Sequence, residues 1–340
     1  MDVERAKVRR RHSHKPARIR HMLGYVIRRL AALVPILIGV SIVVFLLVRI
    51  MPGNVAQLML GPNATPEQVQ ELEHEFGLDR PLVEQYTDWV NGVARGDLGD
   101  SFVRNRSVAS ELIDRLPITG ELLILTIGVT VLLGLTLGGV AAVNYRRPAD
   151  GVLRGVSILG MSVPTFWTAT LVILLPSIFF SYAPPFQHVP FFENPWDNLR
   201  EYGPPALVLG FASACGLSRV VRGGLLGVMN SDYIRTARSK GLNERLVVRR
   251  HALGNAMLPV ITILGLEIAT LMGGTVIVEQ VFNLNGLGRL MLESVTTRDY
   301  PVIQVMALYA AAVFVLVSLL IDLTYAWLDP RVRLAGGRRG

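Results

Sequence analysis

One glutamate stands near the middle of a long apolar run, Glu267, and one aspartate in the inner half of another, Asp322. A carboxylate inside such a run is costly and faces a cavity or a partner. For Glu267 two readings stand side by side: a residue lining a pathway, or a hydrogen-bonded strut. The usual groups of covalent and metal chemistry are missing. The six histidines have no metal-ligand spacing, and Cys215 has no second cysteine to pair with. No G-x-x-x-x-G-K-[ST] phosphate loop occurs, and neither a nucleophile elbow nor a zincin pattern. "GLGRL" at 286–290 lacks the strand that precedes a dinucleotide loop. The expectation is a chain that is not an enzyme and binds no cofactor or metal of its own.

A second candidate is electrostatic. "DYIRTARSKGLNERLVVRRHALGN" at 232–255 is heavily basic and lies between two apolar runs. Its spacing predicts two short helices broken at Gly241. Ser231 caps the first, which carries Tyr233, Ile234 and Ala237. Gly241 ends it in the left-handed conformation that only glycine takes cheaply. Asn243 caps the second, through Leu246, Val247 and His251 toward Pro259. A helix–Gly–helix hook of this kind is a knob for another protein; the plain alternative is a loop that only sets topology.

The elements that carry these residues are apolar. The chain has 340 residues, 51% of them apolar, and a mean hydropathy of +0.42. The apolar residues are bunched into six runs, near 30–48, 122–143, 157–180, 204–221, 257–278 and 302–327. About 20 apolar residues cross a bilayer core as a helix. The fourth run is the weakest, diluted by Gly210, Gly216 and Arg219. Gly134 and Gly138 form a small-x-x-x-small pair in the second run, whose plain meaning is close helix packing. The first run reads as a retained span, since Arg49-Ile-Met-Pro follows where a cleavage site would need small residues.

Lys and Arg set the orientation. Segments 1–29, 144–156, 217–256 and 329–340 hold 25 of the 34, whereas 51–121, 181–203 and 280–301 hold eight. The positive-inside rule places both termini in the cytoplasm. The net charge of +8 then belongs to the cytoplasmic face and to anionic lipid, not to nucleic acid. The 51–121 segment carries 12 acids against five basic residues and lies outside. "TPEQVQELEHEFG" predicts a capped helix with Thr65 as N-cap, Gln68 closing a capping box and Gly77 as the stop. Val69, Leu72 and Phe76 share its packing face. A second helix follows, with Leu82, Tyr86, Trp89 and Val93 on one face and Gly96 at its end. Glu71, Glu75 and Asp88 are expected to face water as an acidic docking surface.

"RTARSKG" and "HALGN" together resemble the signature loop of ABC importer permeases, in the variant of the peptide/nickel branch. "PGNVAQLMLG", "FGLDRPLVEQY", "GDLGDSF", "GGTVIVEQVFNLNGLGRLMLESVTTRDYPVIQ" and "DLTYAWLDPRVR" resemble further stretches of that branch's first permease subunit. The resemblance covers roughly 22–334, with Asn285 where that family places a proline.

It implies an all-α polytopic membrane protein of six transmembrane helices with type I ABC importer architecture. Residues 1–29 are then a basic cytoplasmic tail, 30–50 the first span and 51–118 an extracytoplasmic helical loop. Residues 119–328 form the permease core with the coupling loop 223–256, and 329–340 a cytoplasmic tail. The subunit would pair with a second homologous permease in the cell membrane, as a heterodimer. Two ATPase subunits would carry ATP and Mg, and an extracytoplasmic binding protein would deliver peptide or a related substrate. The resemblance carries the ATPase-coupling role onto Tyr233, Ile234, Arg235, Thr236, Ala237, Lys240, Gly241, His251 and Leu253. It places Asp322 with Asp329, Pro330 and Arg331 in a structural motif at the last helix end. It also lets Glu267 meet a peptide amine, or brace the partner permease. Two other readings remain at this point: a proton-coupled secondary transporter using Glu267 or Asp322, and a non-transporting membrane scaffold.

Overall fold

The computed structural model describes residues 15–50, 55–181, 188–243, 246–247 and 253–328. Among them are twelve helices: α1 Lys15–Ile50, α2 Val55–Leu60, α3 Pro66–Glu75, α4 Leu82–Ala94, α5 Val108–Val143, α6 Pro148–Ser162, α7 Thr165–Phe180, α8 Pro195–Met229, α9 Asp232–Ser239, α10 Leu253–Val281, α11 Leu287–Thr297 and α12 Tyr300–Leu328. Among the described residues the one extended pairing is an isolated bridge between Asp100 and Ser107. The all-α expectation holds.

All six apolar runs fall on helices. By length and composition, α5, α8 and α12 each suffice to cross a membrane, and two bent pairs do so if each counts as one span. The run at 157–180 is not one straight helix. It breaks after Ser162, and α6 and α7 meet at 96°. Pro164 is the cause: it has no N–H, and its ring drives the preceding residue out of the helical region. Val163 accordingly sits at φ −80°, ψ 126°.

The weakest apolar run lies on a helix more enclosed than α5 or α12. Of the most apolar window of α8, 56% is buried inside the protein, against 22% for α5. The glycines that dilute its hydropathy mark where neighbours touch. A Cβ on Gly210 would lie 2.6 Å from Val129 Cγ1. From the other side, a Cβ on Gly134 would lie 2.7 Å from Leu217 Cδ2, and one on Gly138 2.5 Å from the Ser218 carbonyl. The small-residue pair thus brings the α5 and α8 backbones together, as its spacing suggests.

The helical segment before α5 packs on the spans. Thr65 and Gln68 form the expected capping box, with Pro66 at the first helical position. Val69, Leu72 and Phe76 are half-buried, and Phe76 stacks on Phe102 at 4.1 Å. On α4, Tyr86 and Trp89 pack against Phe45 of α1. Leu82, expected on that face, is 50% exposed. Gln85 takes the inward place: its amide donates to the Leu78 and Arg80 carbonyls, and its oxygen accepts from Arg49.

Candidate functional site

The hook begins where α8 ends. Ser231 lies at its N-cap position in extended geometry but makes no side-chain cap; its hydroxyl donates back to the Val228 carbonyl at 2.6 Å. The capping role expected of Ser231 is therefore corrected: that hydroxyl is spent on the end of α8. Ile234 is fully buried and Ala237 nearly so, in a cluster with Leu217, Val221, Leu225, Val247 and Val260. Burying an isoleucine side chain contributes about 2–3 kcal/mol, enough to hold a two-turn helix. Tyr233, grouped with them by spacing, is 45% exposed.

Arg235, Thr236 and Lys240 are exposed too, and Arg235 lies 3.6 Å from Asp232 at the surface. Gly241 closes the helix at φ +75°, and a Cβ there would meet nothing within 4 Å. The residue is glycine for its backbone, not for space. Asn243 accepts from the backbone N–H groups of Leu246 and Val247 through its carbonyl, so a turn restarts there. His251, Asp329, Pro330 and Arg331 lie outside the described residues, and Leu253 opens α10. The result is a short helix riveted to α8 and α10 by its inner face, with a polar, mostly basic outer face.

Glu267 is half-buried on α10, and the Ser213 hydroxyl of α8 donates to its Oε1. The carboxylate thereby joins two helices of this chain. Asp322 is half-buried on α12. Glu71, Glu75 and Asp88 are all exposed. Asp88 pairs with Arg80 at 2.7 Å, so two of the three acids carry the surface charge.

At the opposite end from the hook, the structure joins residues that local spacing leaves apart. Asp299 is fully buried. Ser101 Oγ donates to it at 2.5 Å, the Phe102 amide at 3.1 Å and Arg104 Nη1 at 3.3 Å. Arg104 Nη2 also reaches Glu293 Oε2 at 3.0 Å, and Arg289 Nε holds the other oxygen of Glu293 at 2.8 Å. Burial pushes the Glu293 carboxyl up, but the bonds from Arg289 and Arg104 prevail and hold it below the ordinary glutamate value. This clasp ties the 99–106 turn to α11 and the start of α12.

A second buried acid sits beside it. Glu279 on α10 is fully buried; it accepts from Thr119 Oγ1 at 2.8 Å and from the Arg289 amide at 2.9 Å. Thr119 in turn accepts from the Leu287 amide at 2.8 Å. Glu279 and Thr119 thus supply acceptors for the first-turn N–H groups of α11, which no residue of α11 can satisfy. Ser101, Asp299, Thr119 and Glu279 escape a reading by spacing because their partners lie 160 to 198 residues away. The one usable signal was the pair of quoted stretches "GDLGDSF" and "VTTRDYP", which hold the two halves of the clasp.

The family model described as binding-protein-dependent transport system inner membrane component matches residues 134–334. A second model, for the N-terminal part of such membrane components, matches 22–123. A protein of Brucella abortus (strain 2308) named for a peptide transport system permease is 38% identical over 312 residues, 92% of this chain and 99% of the relative. The glutathione transport system permease protein GsiC of Escherichia coli (strain K12) is 39% identical over 312 residues, with the same coverage of both chains. Among solved structures, an inward-facing methionine ABC transporter aligns with 64% of this chain and 96% of its own, at 16% identity and a TM-score of 0.49. At that distance the alignment adds nothing to the assignment.

Proposed function

This chain belongs to the family of binding-protein-dependent transport system inner membrane components, and on that premise we propose how it works as an ABC importer permease. With a second homologous permease it forms a pathway for peptides or glutathione, the cargoes for which its relatives are named. Two ATPase subunits, holding ATP and Mg, dock from the cytoplasm, and a substrate-binding protein docks outside. Both termini and the hook face the cytoplasm, and the 55–107 segment faces outward.

The observation that carries this reading is α9. Its inner face, Ile234 and Ala237, is buried against α8 and α10, and its outer face presents Tyr233, Arg235, Thr236 and Lys240. A knob with that division transmits a push on its outer face as rigid-body motion of the two spans beneath it. Nucleotide chemistry then belongs to the partner subunits, in keeping with the missing phosphate loop. Outside, Glu71 and Glu75 steer the binding protein, and the Asp299 clasp passes its docking to α11 and α12.

The test is uptake by the reconstituted transporter: this chain, its second permease, two ATPases and binding protein in proteoliposomes, with labelled glutathione or dipeptide outside. Uptake should require internal ATP and survive a protonophore. Uptake without ATP that a protonophore abolishes would transfer the assignment to the proton-coupled alternative.

A further inference from the structure

A cavity of about 170 Å3 opens between α5, α6 and α8, near the hook end of the bundle. Its walls include Leu137, Leu153, Ile158 and three arginines, Arg154, Arg219 and Arg222. The arginines are not equivalent. Arg222 is committed, because its Nε and Nη2 grip the two oxygens of Asp150 at 2.7 and 2.8 Å. Asp150 is committed as well, since its Oδ2 also accepts the Arg146 amide. Arg154 and Arg219 are exposed, and among the described residues no carboxylate forms an ion pair with either. The nearest bond of Arg219 is a weak one, 3.6 Å from the Met161 sulfur. The Ser157 and Ser218 hydroxyls in the wall are 2.8 Å apart and bonded to each other.

Arg154 stands six residues into α6, about 9 Å along it, and Arg219 ten residues before the end of α8, about 15 Å. Arg154 precedes the apolar run 157–180 and Arg219 lies near the end of the run 204–221, positions expected at the membrane surface. A guanidinium at the membrane surface attracts an anion, and among the described residues Asp150, which feels the Arg154 charge, spends its hydrogen bonds on Arg222 and the Arg146 amide. The adjoining wall is apolar and exposed: Ile158 is 58% exposed and Val152 65%. A space of about 170 Å3 holds roughly five to six waters' volume. That admits a phosphate group with acyl chains running outside, and it is tight for a tripeptide.

We propose that Arg154 and Arg219 form a binding site for the phosphate of an anionic phospholipid of the leaflet at the hook end. The two guanidiniums bracket the phosphate, and the acyl chains lie along Leu153, Ile158 and Leu137. Such basic pockets between membrane helices suit anionic headgroups. The site clamps α6 to α8 at the base of the hook, beside the Asp150–Arg222 pair. It does not depend on the transport assignment.

The full-length chain in detergent, titrated with phosphatidylglycerol and with phosphatidylcholine of identical acyl chains, is read by native mass spectrometry. Each arginine near an anionic headgroup is worth about fivefold, so wild type should prefer phosphatidylglycerol by about thirtyfold. Arg154→Gln/Arg219→Gln should lose that preference, binding the two lipids alike; each single variant should lose about fivefold. Arg154→Lys/Arg219→Lys, which keeps the charge, should keep most of it. Millimolar inorganic phosphate should fail to displace the lipid, because it lacks the chains. No preference in wild type, or a preference that survives the glutamine variants, overturns the site. Displacement by millimolar glutathione overturns the lipid assignment and gives the arginines to substrate.

Discussion

At Glu267 the acceptor and its donor, the Ser213 hydroxyl, belong to one chain and to two helices. Glutamine keeps an oxygen for that hydroxyl, whereas leucine does not. Glu267→Gln should leave the thermal midpoint of the purified chain near wild type. Glu267→Leu should cost about 1–2 kcal/mol, the loss of one partly buried hydrogen bond. If instead Glu267→Gln selectively slows peptides with a free amine over their N-acetylated forms, the carboxylate binds substrate and the strut reading fails. A different electrostatic signature belongs to His74, whose Nδ1 lies 2.7 Å from Asp79 on the surface. The hydrogen bond to Asp79 raises the His74 value, and the same bond lowers that of Asp79. The raised histidine contributes fully below its ordinary value and loses its contribution as pH rises through the raised one. The lowered aspartate contributes above its ordinary value and loses it as pH falls through the depressed one. The pair therefore acts in the mildly acidic window between them. An NMR titration should find the His74 midpoint above that of an ordinary histidine, and back at the ordinary value in Asp79→Asn.

Elements are held here by backbone approach and by remote capping. Gly138 lets α5 touch α8 at the Ser218 carbonyl. Gly138→Leu must push the two helices apart, at a cost of about 1–3 kcal/mol or more, and should lower the thermal midpoint well beyond a change at Gly139, whose Cβ would meet nothing. The clasp has a sharper readout. Asp299→Ala leaves the Phe102 amide and Arg104 without their buried acceptor, a loss of about 3 kcal/mol. Hydrogen exchange at the Phe102 amide should quicken by about a hundredfold; unchanged protection would mean that the turn holds itself. These contacts also mark what a sequence can disclose. The Thr65–Gln68 box and the Gly241 stop are local, decided within three or four residues, and both were readable. The 96° turn at Pro164 was obscured by an apolar run that continues across it. The importance of α8 was hidden because the glycines that let it pack lower its hydropathy. The Ser101–Asp299 and Thr119–Glu279 bonds join distant stretches, and nothing in either stretch alone names its partner.

For the whole molecule, two faces at opposite ends must be linked through one set of helices. Toward the outside, Glu71 and Glu75 should speed encounter with the binding protein. Glu71→Gln/Glu75→Gln should slow association several-fold at low salt and much less at high salt. Asp88→Asn should matter least, because Arg80 already neutralises Asp88. On the proposed function, the link toward the cytoplasm is α9. Its aim depends on one residue at positive φ, where a β-branched side chain is strongly disfavoured and where no neighbour crowds the space. Valine at 241 therefore changes the backbone and nothing else nearby. The most direct test is ATP-driven peptide uptake by cells or proteoliposomes carrying Gly241→Val, normalised to the amount of chain in the membrane. The hook as coupling element predicts normal insertion with uptake reduced at least about tenfold, and a milder loss for Gly241→Ala. Wild-type uptake by Gly241→Val at wild-type membrane levels would contradict it.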